Sequence, residues 1–111
     1  MKLHRLQSMR GGWFVGQFEP TVLPSSEFEV AIKHYSAGAK EEAHVHRVAI
    51  ELTAIVSGEV LLNGTKLGPG DIAEITPGEA ASFEALTDVT TVVVKTPSVP
   101  GDKYFVSEAD R

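Results

Sequence analysis

Three residues with metal-ligating side chains lie within eight positions near the middle of the sequence: His44, His46 and Glu51. Side chains two residues apart in a strand project from the same face, so both imidazoles can approach one ion. Glu51 lies five positions beyond His46, an odd offset that puts it on the other face of a continuous strand. A turn over residues 47–49, with residues 51–56 running back antiparallel, brings the carboxylate to the histidines. Two imidazoles and a carboxylate with open positions suit Fe(II), Mn(II), Ni(II) or Zn(II).

The same residue types also have simpler explanations. Two histidines in a strand occur as surface side chains, and a single glutamate occurs as a solvated charge. His34 is a possible auxiliary ligand, because alternation in the predicted strand around it places it on the apolar face with Phe28, Val30 and Ile32. A histidine on such a face is either a hydrogen-bonded core residue or a group that points into a pocket.

The composition is that of one soluble globular domain. The chain has 111 residues, of which 42% are hydrophobic and 23% charged, and this length supports one core rather than two. The net charge is −5 and the ten basic residues are scattered, which argues against nucleic acid as a partner. The sequence contains no cysteine, so a metal must be held by nitrogen and oxygen donors.

The N-terminal residues show no sign of a targeting segment. They lack the apolar stretch and small-residue cleavage site of a secretory signal, and no run approaches the roughly 20 apolar residues of a membrane span. We therefore expect a cytoplasmic protein that does not contact membranes.

Short alternating segments separated by Gly, Pro and Asn predict an all-β fold of about eight strands. Asn63-Gly64 between two short apolar segments is a strong signal for a hairpin. The predicted strands are residues 12–18, 27–35, 51–56, 59–62, 65–67, 72–75, 81–86 and 89–95. The single domain spans residues 1–111, with a core at about 28–95, an N-terminal strand at about 12–18 and a tail at 96–111 that lies over the barrel exterior, caps the barrel mouth or packs on a partner.

The central stretch resembles the first motif of the cupin family, which reads Gly, five residues, His-x-His, three or four residues, Glu, six residues, Gly. Every position of this pattern is present between Gly38 and Gly58. The second cupin motif is only partly kept. Its frame is present from Gly70, with Gly78 in place, but Ala81 stands where the motif has its histidine and Ala85 where it has an asparagine.

The resemblance implies a double-stranded β-helix, or jelly-roll barrel, with His44, His46 and Glu51 pointing inward as ligands of a divalent metal. It also implies a homodimer, because cupins often exchange N-terminal strands. Ala81 removes the usual fourth ligand, so water, substrate or His34 is expected to fill that position.

Three functions follow from this resemblance. The first is a metal-dependent enzyme acting on a small molecule, such as an oxygenase or isomerase. The second is a metal-free enzyme that transfers protons on sugar nucleotides, with a histidine or glutamate as base and Lys33, Tyr35 or His34 assisting. The third is a module that binds a small ligand without turnover. An anionic ligand can contact Arg47, Lys33 or Lys40, although exposed basic side chains are more often simply solvated.

Overall fold

A computed structural model describes residues 1–106 of the chain. Residues 107–111, the end of the predicted tail, lie outside the described part. Two short 3₁₀ turns, Leu6–Ser8 and Arg10–Gly12, precede the first strand. Ten strands follow within the described residues: β1 Trp13–Val15, β2 Glu29–Tyr35, β3 Lys40–Val45, β4 Ile50–Ser57, β5 Val60–Leu62, β6 Thr65–Leu67, β7 Ile72–Ile75, β8 Ala81–Ala85, β9 Val89–Thr96 and β10 Tyr104–Phe105.

The strands form two five-stranded sheets, in the orders β1-β2-β9-β4-β7 and β10-β3-β8-β5-β6. All pairings between these strands are antiparallel. The core at one end of the molecule draws side chains from both sheets, and it consists of Ile55, Val60, Phe83, Ala85 and Val89. The predicted all-β class is therefore confirmed, and inward-facing apolar residues of the two sheets hold them together.

The hairpin of β5 and β6 forms where Asn63-Gly64 predicts it. Asn63 has φ of 51° and Gly64 has φ of 76°, the positive values that a two-residue hairpin turn of this type requires. The Asn63 side chain also accepts a hydrogen bond from the Ser82 backbone N–H at 2.8 Å. This turn is thus tied to β8, a strand that lines the cavity described below.

The inward face of β2 is the reverse of the one that alternation predicts. Glu29 and Ala31 are buried, whereas His34 is exposed. The outer face of β2 is apolar because the N-terminal turns cover it, and Leu6 and Met9 lie near Ile32. Ile32 thus packs under the N-terminal segment, and Lys33 and Tyr35 face the barrel interior.

Both ends of the described chain add strands to the sheet edges. The predicted N-terminal strand is shorter than expected, and β1 pairs with β2 of the same chain. At the other end, β10 pairs with β3 through Tyr104 opposite Val45 and Phe105 opposite His44. The tail therefore reaches the strand that carries the first histidine.

Within residues 1–106, no helix is long and apolar enough to cross a membrane.

Candidate metal centre

The fold brings His44, His46 and Glu51 together. One ligand atom from each residue lies within 4.8 Å of the others, and both histidines are buried. His44 lies near the end of β3, His46 directly follows this strand, and Glu51 is the second residue of β4. The predicted turn between them exists, but β3 and β4 are not a paired hairpin. They belong to opposite sheets, and the connection at residues 46–49 crosses from one sheet to the other.

His44 is held as a neutral ligand. Its Nδ1–H donates to the Glu42 carbonyl at 3.1 Å, and since a carbonyl only accepts, Nε2 keeps its lone pair. Burial is the main effect on its pKa, which lies below the usual range for histidine. At neutral pH this imidazole therefore needs to lose no proton before it binds a metal.

His46 is fixed from two sides. Its Nδ1–H donates to the backbone carbonyl of Asp102, and its Nε2 lies 3.1 Å from Glu51 Oε1. The hydrogen bond to Glu51 raises the pKa of His46 against the opposing effect of burial. Both ring nitrogens face acceptor oxygens, which the imidazolium form satisfies, and a metal ion would take the place of the Nε2 proton.

Glu51 is held as a carboxylate. Burial raises its pKa, but hydrogen bonds from His46 and from the Thr53 hydroxyl, the latter at 2.9 Å, outweigh burial and leave the pKa below its ordinary value. Glu51 and Thr53 both face the cavity, as the predicted orientation of this strand requires. Hydrogen bonds that orient each ligand in this way are typical of metal sites.

Ala81 lies where the missing fourth ligand is expected. It pairs directly with His44 in the β3–β8 register, it is buried, and it lines the same cavity. The structure does not bring His34 to this site. His34 lies on the outer face of β2, exposed, with its Nδ1 2.9 Å from Thr90 Oγ1. His34 therefore cannot replace the missing ligand without a change of strand register.

The cavity that contains the three ligands has a volume of about 140 Å³. This is smaller than the roughly 300–1,000 Å³ of pockets that hold drug-sized ligands. Aromatic residues from three strands line it, together with three lysines, Lys33, Lys95 and Lys103. The site therefore suits a molecule of few atoms. Arg47 and Lys40, which the sequence offers as contacts for an anion, do not line this cavity. Both are exposed, and the Arg47 guanidinium stacks 3.8 Å from the centre of the Tyr104 ring.

Asp102 is a site residue that the sequence did not reveal. Its carboxylate accepts hydrogen bonds from the backbone N–H groups of Arg47, Val48 and Ala49 at 2.8, 3.1 and 2.9 Å. It is only 5% exposed. The tail therefore fixes the loop between the ligand strands and also orients His46. The available signal was an acidic residue in a Pro- and Gly-rich tail, which does not indicate its distant partners.

Glu41 also lines the cavity, where it accepts a hydrogen bond from the Tyr35 hydroxyl at 2.9 Å. A register shift between Glu41 and His44 in the β3–β8 pair lets both residues face inward despite their odd spacing. Strict alternation would have placed Glu41 outside.

No protein-family model and no curated protein sequence matches the chain. Among solved structures, it is similar to an uncharacterised protein with a double-stranded β-helix domain from Klebsiella pneumoniae, with a TM-score of 0.67 and 26% identity over 73% of this chain and 71% of that one. It is also similar to an RmlC-like cupin from Shewanella frigidimarina, with a TM-score of 0.63 and 22% identity over 68% of this chain and 70% of that one. For DMSP lyase DddQ from Ruegeria pomeroyi, the TM-score is 0.72 and the identity is 20%, over 86% of this chain and 50% of that protein. The two sheets and these likenesses show that the chain has the double-stranded β-helix fold, which it shares with cupins.

Proposed function

We propose that the protein binds a divalent metal ion through His44, His46 and Glu51 and uses the cavity around it to bind or convert a small molecule. The observation that carries this proposal is the convergence of three buried or partly buried donor atoms within 4.8 Å, each oriented by its own hydrogen bond. Hydrogen bonds that fix each donor while their free atoms converge on one point are typical of a metal site.

The donor set favours Fe(II), Mn(II), Ni(II) or Zn(II), since it combines nitrogen and oxygen donors and contains no sulfur. A bound metal would supply Lewis acidity toward an oxygen atom of the ligand. Three protein donors leave coordination positions free, and the small side chain of Ala81 leaves space beside them. The site therefore fits a metal that also contacts a small substrate.

Elemental analysis of the purified protein is the direct test. We expect close to one equivalent of a divalent transition metal after exposure to that metal, and loss of this metal in His44→Ala and His46→Ala. His34→Ala is the matched control, because it removes an imidazole that lies outside the cavity. Wild-type stoichiometry in both ligand variants, or failure to load any of the four metals, would refute the proposal. Turnover of a bound molecule would distinguish an enzyme from a binding module.

Metal-free proton transfer is a second candidate, supported by the hydrogen-bonded pair of Tyr35 and Glu41 in the cavity wall. Burial and the neighbouring Glu41 raise the pKa of Tyr35, so its hydroxyl stays protonated and can hydrogen-bond a substrate, but it is a poor proton donor near neutral pH. A cavity of about 140 Å³ does not enclose a sugar nucleotide, which weakens that substrate class. Activity that survives a strong chelator would favour this candidate over the metal-dependent one.

We also propose a homodimer that forms through the outer face of β4 and β7. Exposed apolar side chains are grouped on this face: Ile50, Leu52, Val56 and Ile72. Ala54 and Ile72 are paired residues in the β4–β7 register, so the group is continuous. Contiguous exposed apolar surface at the edge of a sheet is typical of an interface.

A further inference from the structure

Lys33 is a partly buried ammonium without a carboxylate partner in the described part of the chain. It lines the cavity from β2, and residues 1–106 provide it with no ion pair. Lys95, on the neighbouring strand, differs because its Nζ lies 3.5 Å from Glu29 Oε1. Burial is the largest influence on Lys33 and lowers its pKa, although Glu41 and Glu51 act in the opposite direction. The charge of Lys33 is thus available to a ligand.

Trp13 fixes the position of this ammonium. The Nζ atoms of Lys33 and Lys95 lie 5.4 and 4.9 Å from the centre of the Trp13 ring, within the range of cation–π contact. Trp13 pairs with Ala31, which lies between Lys33 and Glu29 on the inner face of β2. The ring therefore restrains the Lys33 ammonium at the wall of the cavity, which Trp13 also lines.

Thr91 provides an independent sign of a missing ligand. Within residues 1–106, its hydroxyl is buried without a hydrogen-bond partner, and the residue is 1% exposed. Thr91 lies directly opposite Lys33 in the β2–β9 register and also lines the cavity. A buried hydroxyl that faces a cavity and bonds to nothing is costly, and a polar group of a bound molecule would satisfy it.

We propose that Lys33 and Thr91 are the binding residues for a small carboxylate, with Lys33 pairing with its charge and Thr91 hydrogen-bonding one of its oxygens. This inference rests on the proposed function, in that the other end of the molecule reaches the metal site in the same cavity. Lys33 and Lys103 both line the cavity without an ion pair among the described residues, and Lys33 is the one that lies opposite Thr91. The negative groups that also face the cavity, Glu41 and Glu51, are opposed by Lys103 and by the metal, so an anion is not repelled once the metal is bound.

The test uses glycolate and its neutral isostere glycolamide, titrated into the full-length protein by calorimetry, both loaded with Zn(II) and after chelation. We expect glycolate to bind the zinc-loaded protein roughly tenfold to a hundredfold more tightly than glycolamide, as for a charged hydrogen bond in a partly buried site. Lys33→Met should remove most of this preference, while Lys33→Arg keeps it. Lys66→Met is the control for net charge, because Lys66 is exposed and pairs with Glu59 on the surface.

Thr91→Val separates binding from structure. Valine has nearly the same shape and removes only the unpartnered hydroxyl, so we expect weaker glycolate binding without a lower melting temperature. Equal preference for glycolate in wild type and Lys33→Met would mean that the metal alone holds the carboxylate, which overturns the inference and leaves the metal site intact. A loss of stability in Thr91→Val would show that the hydroxyl has a structural partner and would equally overturn its assignment. Zinc content, measured separately on each sample, reports failure of the metal proposal itself.

Discussion

Replacement of Asp102 by alanine tests whether the tail holds the loop that joins the two ligand strands. The carboxylate accepts three backbone hydrogen bonds at 2.8 to 3.1 Å, and hydrogen bonds to charged groups contribute about 1.5–3 kcal/mol each. The losses do not simply add, because Arg47 and Val48 are exposed and water can reach their N–H groups. Ala49 is 2% exposed, so its N–H stays unsatisfied. We expect the free energy of unfolding to fall by about 2–4 kcal/mol.

Such a loss is measurable, since it corresponds to a fall of roughly 10 °C or more in Tm for a domain of this size. Urea titration of wild type and Asp102→Ala gives the difference directly. Asp88→Ala is the matched control, because the Asp88 carboxylate also accepts a loop N–H, from Ala37 at 2.9 Å, but does so at an exposed position away from the ligands. The free energy of unfolding of this control should fall by about 1 kcal/mol or less.

The stability that Asp102 contributes should depend on pH. Burial raises the pKa of Asp102, but hydrogen bonds from Ala49, Arg47 and Val48 outweigh it and hold the pKa below its ordinary value. The carboxylate of Asp102 therefore stabilises the fold fully at any pH above its pKa in the unfolded chain, about 3.9. This stabilisation is lost as the pH falls through the lower pKa of the folded state. The difference in free energy of unfolding between wild type and Asp102→Ala should thus be constant near neutral pH and should become smaller below about pH 4.

Metal affinity provides the second measurement on Asp102→Ala. The main-chain carbonyl that accepts the His46 proton remains, but the loop that aligns it is released, and loss of such outer contacts typically weakens metal binding by about 10- to 100-fold. The reasoning would be refuted if Asp102→Ala lost no more stability than Asp88→Ala and bound zinc as tightly as wild type.

Three further predictions follow from the site and the outer face. Ala81→His should tighten zinc binding by about tenfold or more, because position 81 is opposite His44; unchanged affinity in a calorimetric titration would show that the new ring cannot reach the ion. Zinc binding near pH 6 should release about one proton from His46, because Glu51 raises its pKa; calorimetry in buffers of different ionisation enthalpy measures this, and zero release would contradict the imidazolium–carboxylate pair. If the proposed dimer forms through the outer face, Leu52→Lys should give a monomer in light scattering, with Leu86→Lys, also exposed, as a control that keeps the mass of the wild type.

Local sequence signals predicted most of the barrel. Strands β7, β8 and β9 begin at the predicted residues, since their alternation is bounded by Gly, Pro and Asp turns. The Asn63-Gly64 hairpin followed from the positive φ that both residues tolerate. Side-chain parity predicted the turn between His46 and Glu51, because the odd offset lets the carboxylate reach the histidines only if the strand is broken between them.

Features that depend on distant segments could not be predicted in this way. Local alternation predicts the wrong inward face of β2. The apolar side of this strand packs under the N-terminal turns, and alternation within the strand cannot indicate that contact. Glu41 was missed because a bulge reverses the parity of β3. Asp102 acts on residues 53 to 55 positions earlier in the chain. No local pattern encodes such contacts, since they arise only when the tail pairs with β3.

The strand registers limit the size of the molecule that can bridge the two parts of the cavity. On β9, Lys95 is paired with Glu51 of β4 and Thr91 with Ile55, so the metal end and the Thr91 end are four residues apart, or about 13 Å along a strand. Inward-pointing side chains shorten this span, because Lys33, Thr91 and the three ligands all line one cavity of about 140 Å³. A carboxylate on Lys33 and an oxygen on the metal are therefore separated by only part of that length. This geometry and the small cavity together favour a short carboxylic acid over a longer one, and a series of acids of increasing chain length should lose affinity once the chain exceeds the span.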